Sequence, residues 1–469
     1  MNSTALYDLL PLSMLAAVPV LILLATAIRR HHTLIFGLTI ASLAACVGLT
    51  LYRFVYFKEA ATIESLLIID RFTLFYLLLI CISSIIMLSF SYFKLKESKD
   101  VRAEEFYILF STALLGAGVI VSSTHFISFF LGLEILSVSL YPLIAYFRNS
   151  LSVEAGIKYL ILAAASSAFL LFGFGLVYLE TGTMEFALLA GQIKNVSPLA
   201  SLGLGLILAA VAFKLAVVPF HLWTADIYQG APPQVTALVA TVSKGSMIAF
   251  FMRFTYMIDG LQWDWIVLLL TIFALASMLF GNILALLQSN IKRLLAFSSI
   301  AHIGYVLVAV LVKTPLGMHA ATFYLTAYFV TIIIAFGVVS QVTNKDQGLQ
   351  VKDLQSMFWN EPLTALLLSL SLLSLAGIPL TAGFMGKYYL LTAGISQEFW
   401  LLVVVLVISS VIGLFYYLRV IMKMLETGKS KGFRATPVYS ILGVLAAILL
   451  IIGVYPSGLI SWIETLKLF

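Results

Sequence analysis

The segment Ala212–Arg253, AFKLAVVPFHLWTADIYQGAPPQVTALVATVSKGSMIAFFMR, decides the fold class. Its two lysines, Lys214 and Lys244, each lie in an apolar stretch long enough to cross a bilayer, and Pro219 interrupts the helical pattern between them. A charge at the centre of a membrane helix costs about 2.5–3.5 kcal/mol on insertion scales, so each lysine is a candidate functional residue. Proline removes a backbone donor, which at membrane depth is tolerated where other groups or water satisfy the backbone. The segment therefore predicts a small hydrated cavity inside a membrane protein.

The composition is that of an integral membrane protein. Hydrophobic residues make up 62% of the 469 residues and charged residues 10%, against about 25% charged residues in soluble proteins. Apolar runs of about 17–25 residues recur along the chain, which predicts membrane helices and excludes the alternating strands of a barrel. The net charge of +6 does not indicate nucleic-acid binding, because the basic residues lie mainly in short loops. Two cysteines are too few for an iron–sulfur cluster, which needs four ligands.

We predict an all-α polytopic membrane protein with fourteen transmembrane helices and no soluble domain. The predicted spans are 9–28, 33–52, 73–93, 106–122, 125–147, 156–179, 200–221, 235–257, 264–287, 294–312, 319–341, 363–391, 399–422 and 438–456. The N-terminus has no cleavage site, and Arg29 and Arg30 follow the first apolar run, which places the N-terminus on the outer side. An even number of spans returns the C-terminus to that side.

The distribution of cations supports this orientation. Seven lie in predicted outer segments, namely Arg53, Lys58, Arg71, Lys194, Arg253, Lys313 and Lys467. Fifteen lie in predicted inner loops, namely Arg29, Arg30, Lys94, Lys96, Lys99, Arg102, Arg148, Lys292, Arg293, Lys345, Lys352, Lys423, Lys429, Lys431 and Arg434. This excess satisfies the positive-inside rule.

Two similar segments of the chain suggest an internal repeat. The seventh span contains VPFHLW around Pro219, and the twelfth contains LAGIPLTAGFMGK around Pro379, with Lys214 and Lys387 nearby. The two lie five spans apart, so their units have opposite orientations, as in an inverted repeat whose site lies at the repeat interface. We therefore expect discontinuous helices 7 and 12 in one membrane domain. Its parts are the first three helices (1–105), a first repeat (106–257), a second repeat (264–424) and the last helix with the C-terminus (438–469).

Glu134 is the only acid that we predict deep within a span, and Lys214 is its candidate partner. The alternative is a structural ion pair that fixes helix register. Lys158 lies four residues after Glu154, which is common helix stabilisation. For Lys158, a structural pair and an input-side proton relay both remain open.

The other candidate relay groups lie farther along the chain. Lys244 is mid-span with no acid within a turn, which favours a lysine that takes up and releases a proton. His302 lies mid-span beside serines and a tyrosine, where small polar residues leave room for water. His221 follows Pro219, and either a relay or a structural role fits it. Lys387 is the last lysine deep in a span, whereas Arg419, near an inner helix end, is expected to anchor a lipid headgroup.

Four stretches resemble the antiporter-like membrane subunits of respiratory complex I, the bacterial NADH–quinone oxidoreductase. They are FFLGLEILSVSLYPLIAY (129–146), FKLAVVPFHLWTADIYQGAPPQVTALVATVSK (213–244), IKRLLAFSSIAHIGYVLVA (291–309) and LSLAGIPLTAGFMGKYY (373–389). The resemblance extends over essentially the whole chain and implies a fourteen-helix fold in which spans four to eight and nine to thirteen form inverted repeats. One departure is Pro233, which makes APPQ where relatives tend to have a single proline.

The resemblance also implies a proton-translocating role for the matching positions. They are Glu134, Lys158, Lys214, Lys244, His302 and Lys387, in spans five, six, seven, eight, ten and twelve. The expected path runs from the cytoplasm through Lys158 or Lys214 to Lys244 and His302, and leaves by Lys387.

The implied enzyme is a proton-translocating NADH:quinone oxidoreductase, of which this chain is one subunit without a redox cofactor of its own. NADH, FMN, iron–sulfur clusters and quinone are expected in partner subunits. The expected partners are the antiporter-like M subunit, small membrane subunits such as K, and the lipid of the bacterial inner membrane, with no nucleic acid. Two alternatives stay open. The chain could serve a stand-alone cation/proton antiporter, or it could be a non-pumping scaffold whose lysines form structural pairs.

Overall fold

The computed structural model describes residues 7–97, 102–192, 197–342, 349–428 and 438–467. The helices of these residues are α1 (Leu10–Ile28), α2 (His32–Val55), α3 (Arg71–Glu97), α4 (Ala103–Ser122), α5 (Phe126–Ile144), α6 (Ser150–Thr181), α7 (Phe186–Gln192), α8 (Pro198–Leu215), α9 (Trp223–Gly230), α10 (Pro233–Leu238), α11 (Lys244–Met257), α12 (Asp264–Leu286), α13 (Ile291–Val310), α14 (Pro315–Val342), α15 (Met357–Asn360), α16 (Pro362–Ala376), α17 (Ala382–Ser396), α18 (Trp400–Leu425), α19 (Val438–Val454) and α20 (Ser457–Ile463). Strands β1 (Ala61–Ile63) and β2 (Leu67–Ile69) pair antiparallel. The predicted loop cations Lys99, Lys194, Lys345, Lys429, Lys431 and Arg434 lie outside the described residues.

The predicted all-α membrane fold is confirmed. Twelve helices in the described part of the chain are long and apolar enough to cross a membrane, counting Pro233–Met257 as one. Helices α19 and α20 are bent by 83° and make a thirteenth span if they are taken together. The predicted span 363–391 consists of two shorter helices, α16 and α17. The count of fourteen therefore stays a prediction.

Both predicted helix interruptions are present. α8 ends at Leu215, the Val218–Pro219 peptide bond is cis, and the next helix begins at Trp223. α16 ends at Ala376, and Gly377 follows with a φ of +84°, a left-handed conformation that glycine adopts without a steric penalty. A third irregularity was not predicted. Residues Val239–Ser243 form a π-helical segment between α10 and α11, and such segments frequently occur at functional sites.

The described residues fall into two compact units. Unit 1 comprises those of Met1–Leu215, Val242–Gln262 and Leu466–Phe469, and unit 2 those of Ala216–Thr241 and Trp263–Thr465. Within unit 1, α4 packs on α5, α6 packs on α8, and α11 contacts α4 and α8. Within unit 2, α13 packs on α12 and also contacts α9, α14, α17 and α18. The most deeply buried long helices are α11 in unit 1 and α13 and α14 in unit 2.

Glycines allow close helix crossings in both units. A Cβ atom on Gly173 of α6 would lie 2.7 Å from the carbonyl oxygen of Gly203 on α8. In unit 2, a Cβ atom on Gly281 of α12 would lie 2.7 Å from the backbone nitrogen of Ala301 on α13. Small residues at membrane-helix crossings let the backbones approach and maximise van der Waals packing.

Gly173 and Gly175 provide a matched test on one helix. We expect Gly173→Ala to destabilise the chain by about 1–3 kcal/mol, because the added methyl group overpacks the crossing with α8. A Cβ atom on Gly175 meets no other atom within 4 Å. Gly175→Ala is therefore expected to be neutral or stabilising by up to about 1 kcal/mol through helix propensity. The midpoint of thermal aggregation in detergent measures both, and equal midpoints for the two variants would contradict the close crossing.

Candidate functional site

Glu134 and Lys214 lie in unit 1 and are held by two serine hydroxyls. The Ser167 hydroxyl of α6 donates to Glu134 Oε1 at 2.5 Å. Lys214, in the last turn of α8, is buried, and its Nζ donates to Ser137 Oγ at 2.7 Å. Ser137 lies three residues after Glu134 on α5, so the acid and the acceptor of the ammonium group are neighbours one turn apart on that helix.

The expected direct contact between Glu134 and Lys214 is not formed. The ion pairs of the described residues, taken at 4.0 Å, do not include these two side chains. The Lys214 ammonium lies 5.5 Å from the ring centroid of Tyr159 instead, within the range of a cation–π interaction. A serine hydroxyl and an aromatic face therefore solvate the lysine, while the Glu134 carboxylate lies one helical turn from that serine on α5.

Lys158 forms the predicted helix-stabilising ion pair with Glu154. Its Nζ lies 2.7 Å from Glu154 Oε1 on the same helix, and 43% of its side chain is exposed. Exposed pairs of this kind contribute about 0.3–0.5 kcal/mol to helix stability. Lys158 thus lies at the surface of this chain.

Lys244 begins α11, directly after the π-helical segment, and is buried. Its helix packs against α8, which ends one residue after Lys214. Unit 1 thus brings the helices of these two buried lysines together.

Arg253, on the same helix as Lys244, was predicted in an outer segment and is in fact buried. Its guanidinium group donates to both carboxylate oxygens of Asp70 at 2.8 and 2.9 Å, and to the Thr73 hydroxyl at 2.9 Å. The ring of Phe72 lies 5.1 Å away. Sequence reasoning missed this pair, although Arg253 falls inside the predicted span 235–257. Bidentate pairing fixes the register of α11, because the planar guanidinium matches the carboxylate in one orientation.

His302 of α13 lies in a cluster of tyrosines in unit 2. Its Nδ1 is 2.5 Å from the Tyr324 hydroxyl, and its Nε2 is 3.1 Å from the Tyr417 hydroxyl. Tyr417 also hydrogen-bonds to Ser298. The sequence indicated polar neighbours only on α13, whereas Tyr324 and Tyr417 come from α14 and α18.

Lys387 of α17 lies at the predicted break of helix 12. Its Nζ donates to the backbone carbonyl of Ala376 at 2.8 Å and to Ser410 Oγ at 2.6 Å. Ala376 is the last residue of α16, so the ammonium group sits at the negative end of that helix dipole. The ring of Tyr305 lies 5.3 Å from Nζ.

His221 lies in the irregular segment between α8 and α9. The side chain is buried, and within the described residues neither ring nitrogen has a hydrogen-bond partner. The hydroxyl of Thr224, three residues later, is in the same situation. Buried polar atoms are normally hydrogen-bonded to protein or water, so we expect bound water here, as the interruption at Pro219 predicts.

Two further cations differ from their predicted positions. Arg419 was expected to anchor a lipid headgroup, but it donates to the backbone carbonyls of Leu286 and Gln288 at 2.8 Å each and so completes the end of α12. Lys292, expected in an inner loop, is the second residue of α13 and is buried. Arg419 thus satisfies carbonyls that the end of α12 leaves without an intrahelical partner.

No group of three or more His, Cys, Asp or Glu side chains suitable for a metal occurs in the ranges that the structure describes. Unit 1 instead holds the buried Lys214, on a serine hydroxyl, and the buried Lys244, and unit 2 holds Lys387 and His302 on hydroxyl and carbonyl groups. Such groups can accept, hold and pass a proton.

Comparisons with known proteins point to one family. The family model described as NADH:quinone oxidoreductase/Mrp antiporter, TM, matches residues 123–413. The NADH-quinone oxidoreductase subunit N of Methylococcus capsulatus is 43% identical and covers 98% of this chain and 95% of its own length. A chain of respiratory complex I from Thermus thermophilus with bound aureothin is 29% identical, with a TM-score of 0.84 over 96% of this chain and 98% of its own. A chain of the Mrp complex from Dietzia sp. has a TM-score of 0.87 over 98% of this chain and 96% of its own, but at 20% identity it shows the fold alone.

The buried pair of Arg253 and Asp70 gives a stability prediction. We expect Arg253→Met to cost about 3–5 kcal/mol, because the Asp70 carboxylate is left buried without a counter-charge. Arg253→Met combined with Asp70→Leu should recover most of this loss. The control is Arg102→Met, which removes an exposed pair with Glu105 (side chains 69% and 43% exposed) and should cost less than about 1 kcal/mol. The midpoints of thermal aggregation in detergent compare the stability of the wild type and these three variants. If Arg253→Met alone were as stable as the double variant, the stabilising role of the pair would be refuted.

Proposed function

The chain belongs to the NADH:quinone oxidoreductase/Mrp antiporter family, in the branch of NADH-quinone oxidoreductase subunit N, and from this premise we propose that its buried lysines, glutamate and histidine form a proton path. The protein is an antiporter-like, multi-span membrane subunit of a proton-translocating NADH-quinone oxidoreductase. The main support for the path is that Lys214, Lys244 and Lys387 are only 5%, 1% and 7% exposed, each beside a helix irregularity.

The proposed path begins on the cytoplasmic side. A proton passes from Lys158 or Lys214 to Lys244, then to His302 and Lys387, and leaves on the outer side. At each step one N–H bond breaks on the donor and one forms on the acceptor, directly or through water or a hydroxyl. His221, with the bound water that we expect beside it, is a further candidate relay.

Glu134 is the proposed electrostatic switch of the path. Quinone reduction elsewhere in the complex would bias whether the Lys214 ammonium stays on Ser137 or moves to Glu134. Two unit charges 4 Å apart interact by about 4 kcal/mol at an effective dielectric constant of 20. Pumping against 150–200 mV requires about 3.5–4.6 kcal/mol per proton, from about 2.3 kcal/mol per 100 mV. The two energies are comparable, so a move of one helical turn is adequate to control when Lys214 holds or releases its proton.

The proposal also covers the neighbouring subunits and the location of the chain. The antiporter-like M subunit and small membrane subunits such as K are the proposed neighbours, and NADH, FMN, the iron–sulfur clusters and quinone bind in other subunits. The proposed location is the bacterial inner membrane, with both termini on the outer side. A stand-alone cation/proton antiporter is disfavoured by the identity of 43% to a subunit N against 20% to an Mrp chain. The YQGAP segment, and a lysine instead of a glutamate in the twelfth predicted span, also favour the N subunit over the L and M subunits.

Lys244 provides the direct test of the path. We expect Lys244→Met in the assembled complex to lose most of the proton pumping attributable to this subunit, because methionine fills the space and cannot bind a proton. Lys423→Met is the control, since Lys423 lies in the last turn of α18, is 29% exposed and pairs with Glu426. The measurement is the number of protons pumped per electron in proteoliposomes, with assembly checked by subunit composition. Full pumping by an assembled Lys244→Met complex would exclude the path and favour a non-pumping scaffold.

Purification of the chain from its native membrane tests the assembly. We expect the redox subunits of an NADH-quinone oxidoreductase to co-purify, together with the M and K subunits, because this chain provides no redox chemistry of its own. Mass spectrometry identifies the partner chains. Recovery with other antiporter subunits and without redox subunits would support the stand-alone antiporter instead.

A further inference from the structure

We propose that Lys292 is a further proton-carrying residue, through which unit 2 takes up protons from the predicted cytoplasmic side independently of Lys158 and Lys214. The proposal rests on the proposed function, because it adds a second uptake route to the same path. Lys292 is the second residue of α13 and is 4% exposed. Its Nζ donates to the backbone carbonyl of Ala231, which follows α9, at 2.7 Å.

The charged groups around α13 are engaged elsewhere. Asp226 of α9 accepts from Arg293 at 2.7 Å. Arg419 of α18 is bound to the end of α12, and Lys387 of α17 to the end of α16. In the described part of the chain, no carboxylate lies within ion-pair distance of Lys292. A buried lysine whose ammonium group has a carbonyl acceptor and no counter-charge can both hold a proton and release it.

A series of hydroxyl groups leads from this region to His302. Tyr228 lies three residues before Ala231, and its hydroxyl is 3.1 Å from Ser299 Oγ. Ser298, one residue earlier on α13, hydrogen-bonds to the Tyr417 hydroxyl, and the proposed route needs a water between the two serines. We call Tyr228, Ser299, Ser298 and Tyr417 the hydroxyl series. It ends at His302, whose Nε2 lies 3.1 Å from Tyr417 Oη. Lys292 and Ser299 are seven residues apart, which places them on one face of α13, about 10 Å apart along its axis.

The proposed transfer needs only protons and water. The proposed transfer uses a water between Lys292 and Tyr228, which lies three residues before the Ala231 carbonyl that Lys292 binds. An N–H bond of Lys292 breaks and an O–H bond forms on that water. Each hydroxyl of the series then accepts a proton and passes on its own, a second water carries the proton from Ser299 to Ser298, and an N–H bond forms on His302. Neutral Lys292 is protonated again from the cytoplasmic water, so no other reactant is consumed.

The competing interpretation of Lys292 is purely structural. Its ammonium group completes the C-terminal end of α9, where a cation is favoured by the helix dipole. Arg293 supports the same helix through Asp226 and Gln229, at 2.7 and 3.1 Å. Arginine distinguishes the two interpretations. It keeps the charge and can donate to the Ala231 carbonyl, but it does not lose its proton in proteins.

The experiment compares assembled complexes with Lys292→Arg, Lys292→Met and Tyr228→Phe in proteoliposomes. We expect Lys292→Arg and Lys292→Met to assemble, to oxidise NADH, and to pump fewer protons per electron to the same extent. Tyr228→Phe keeps the ring and removes the first hydroxyl of the series, so it should cause a similar loss. It also tests the proposal if Lys292→Arg fails to assemble. Rescue of the wild-type ratio by arginine, or an unchanged ratio in Tyr228→Phe, would overturn the proposal.

Lys244→Met is measured in parallel. If it loses pumping while the Lys292 variants do not, the second uptake route is wrong and the proposed path stands. If none of these variants changes the ratio, the proposed path itself fails.

Discussion

The need to satisfy backbone carbonyls inside a bilayer governs this structure. A helix that ends at membrane depth leaves acceptors that no lipid can satisfy. Lys387 meets that need by donating to Ala376 at the end of α16, while Lys292 and Arg419 donate to carbonyls at the ends of α9 and α12. Two of the three can lose a proton. In the proposed path, the same side chains would carry protons and hold helix ends, so a change in the charge of either lysine would alter how a helix end is held.

The sequence predicted the membrane fold and the helix interruptions because these depend on local composition. Apolar runs of bilayer length specify spans, and Pro219 and Pro379 specify where a helix cannot continue. The buried lysines were recognisable for the same reason, since a charge in an apolar run is visible in the sequence itself. The resemblance to complex I subunits, confirmed by the match over 98% of the chain, then supplied an expected role for each position.

Partners from distant parts of the chain were not predictable. Asp70 and Arg253 are 183 residues apart, and no spacing rule connects them. Tyr417 reaches His302 from 115 residues away, and the hydroxyl groups of an apolar span look like ordinary packing residues in the sequence. Sequence reasoning also paired Glu134 with Lys214, because Glu134 is the only acid predicted deep within a span, whereas the structure has the Ser137 hydroxyl as the acceptor.

The glycine crossings limit how either unit can work. Where α6 meets α8 and α12 meets α13, the backbones are already in contact, and a shift along either helix would bring side chains into the gap that only glycine leaves open. Sliding of these paired helices past one another is therefore sterically opposed, so each pair moves as one body. Rearrangement at these two crossings falls to side-chain rotamers and bound water.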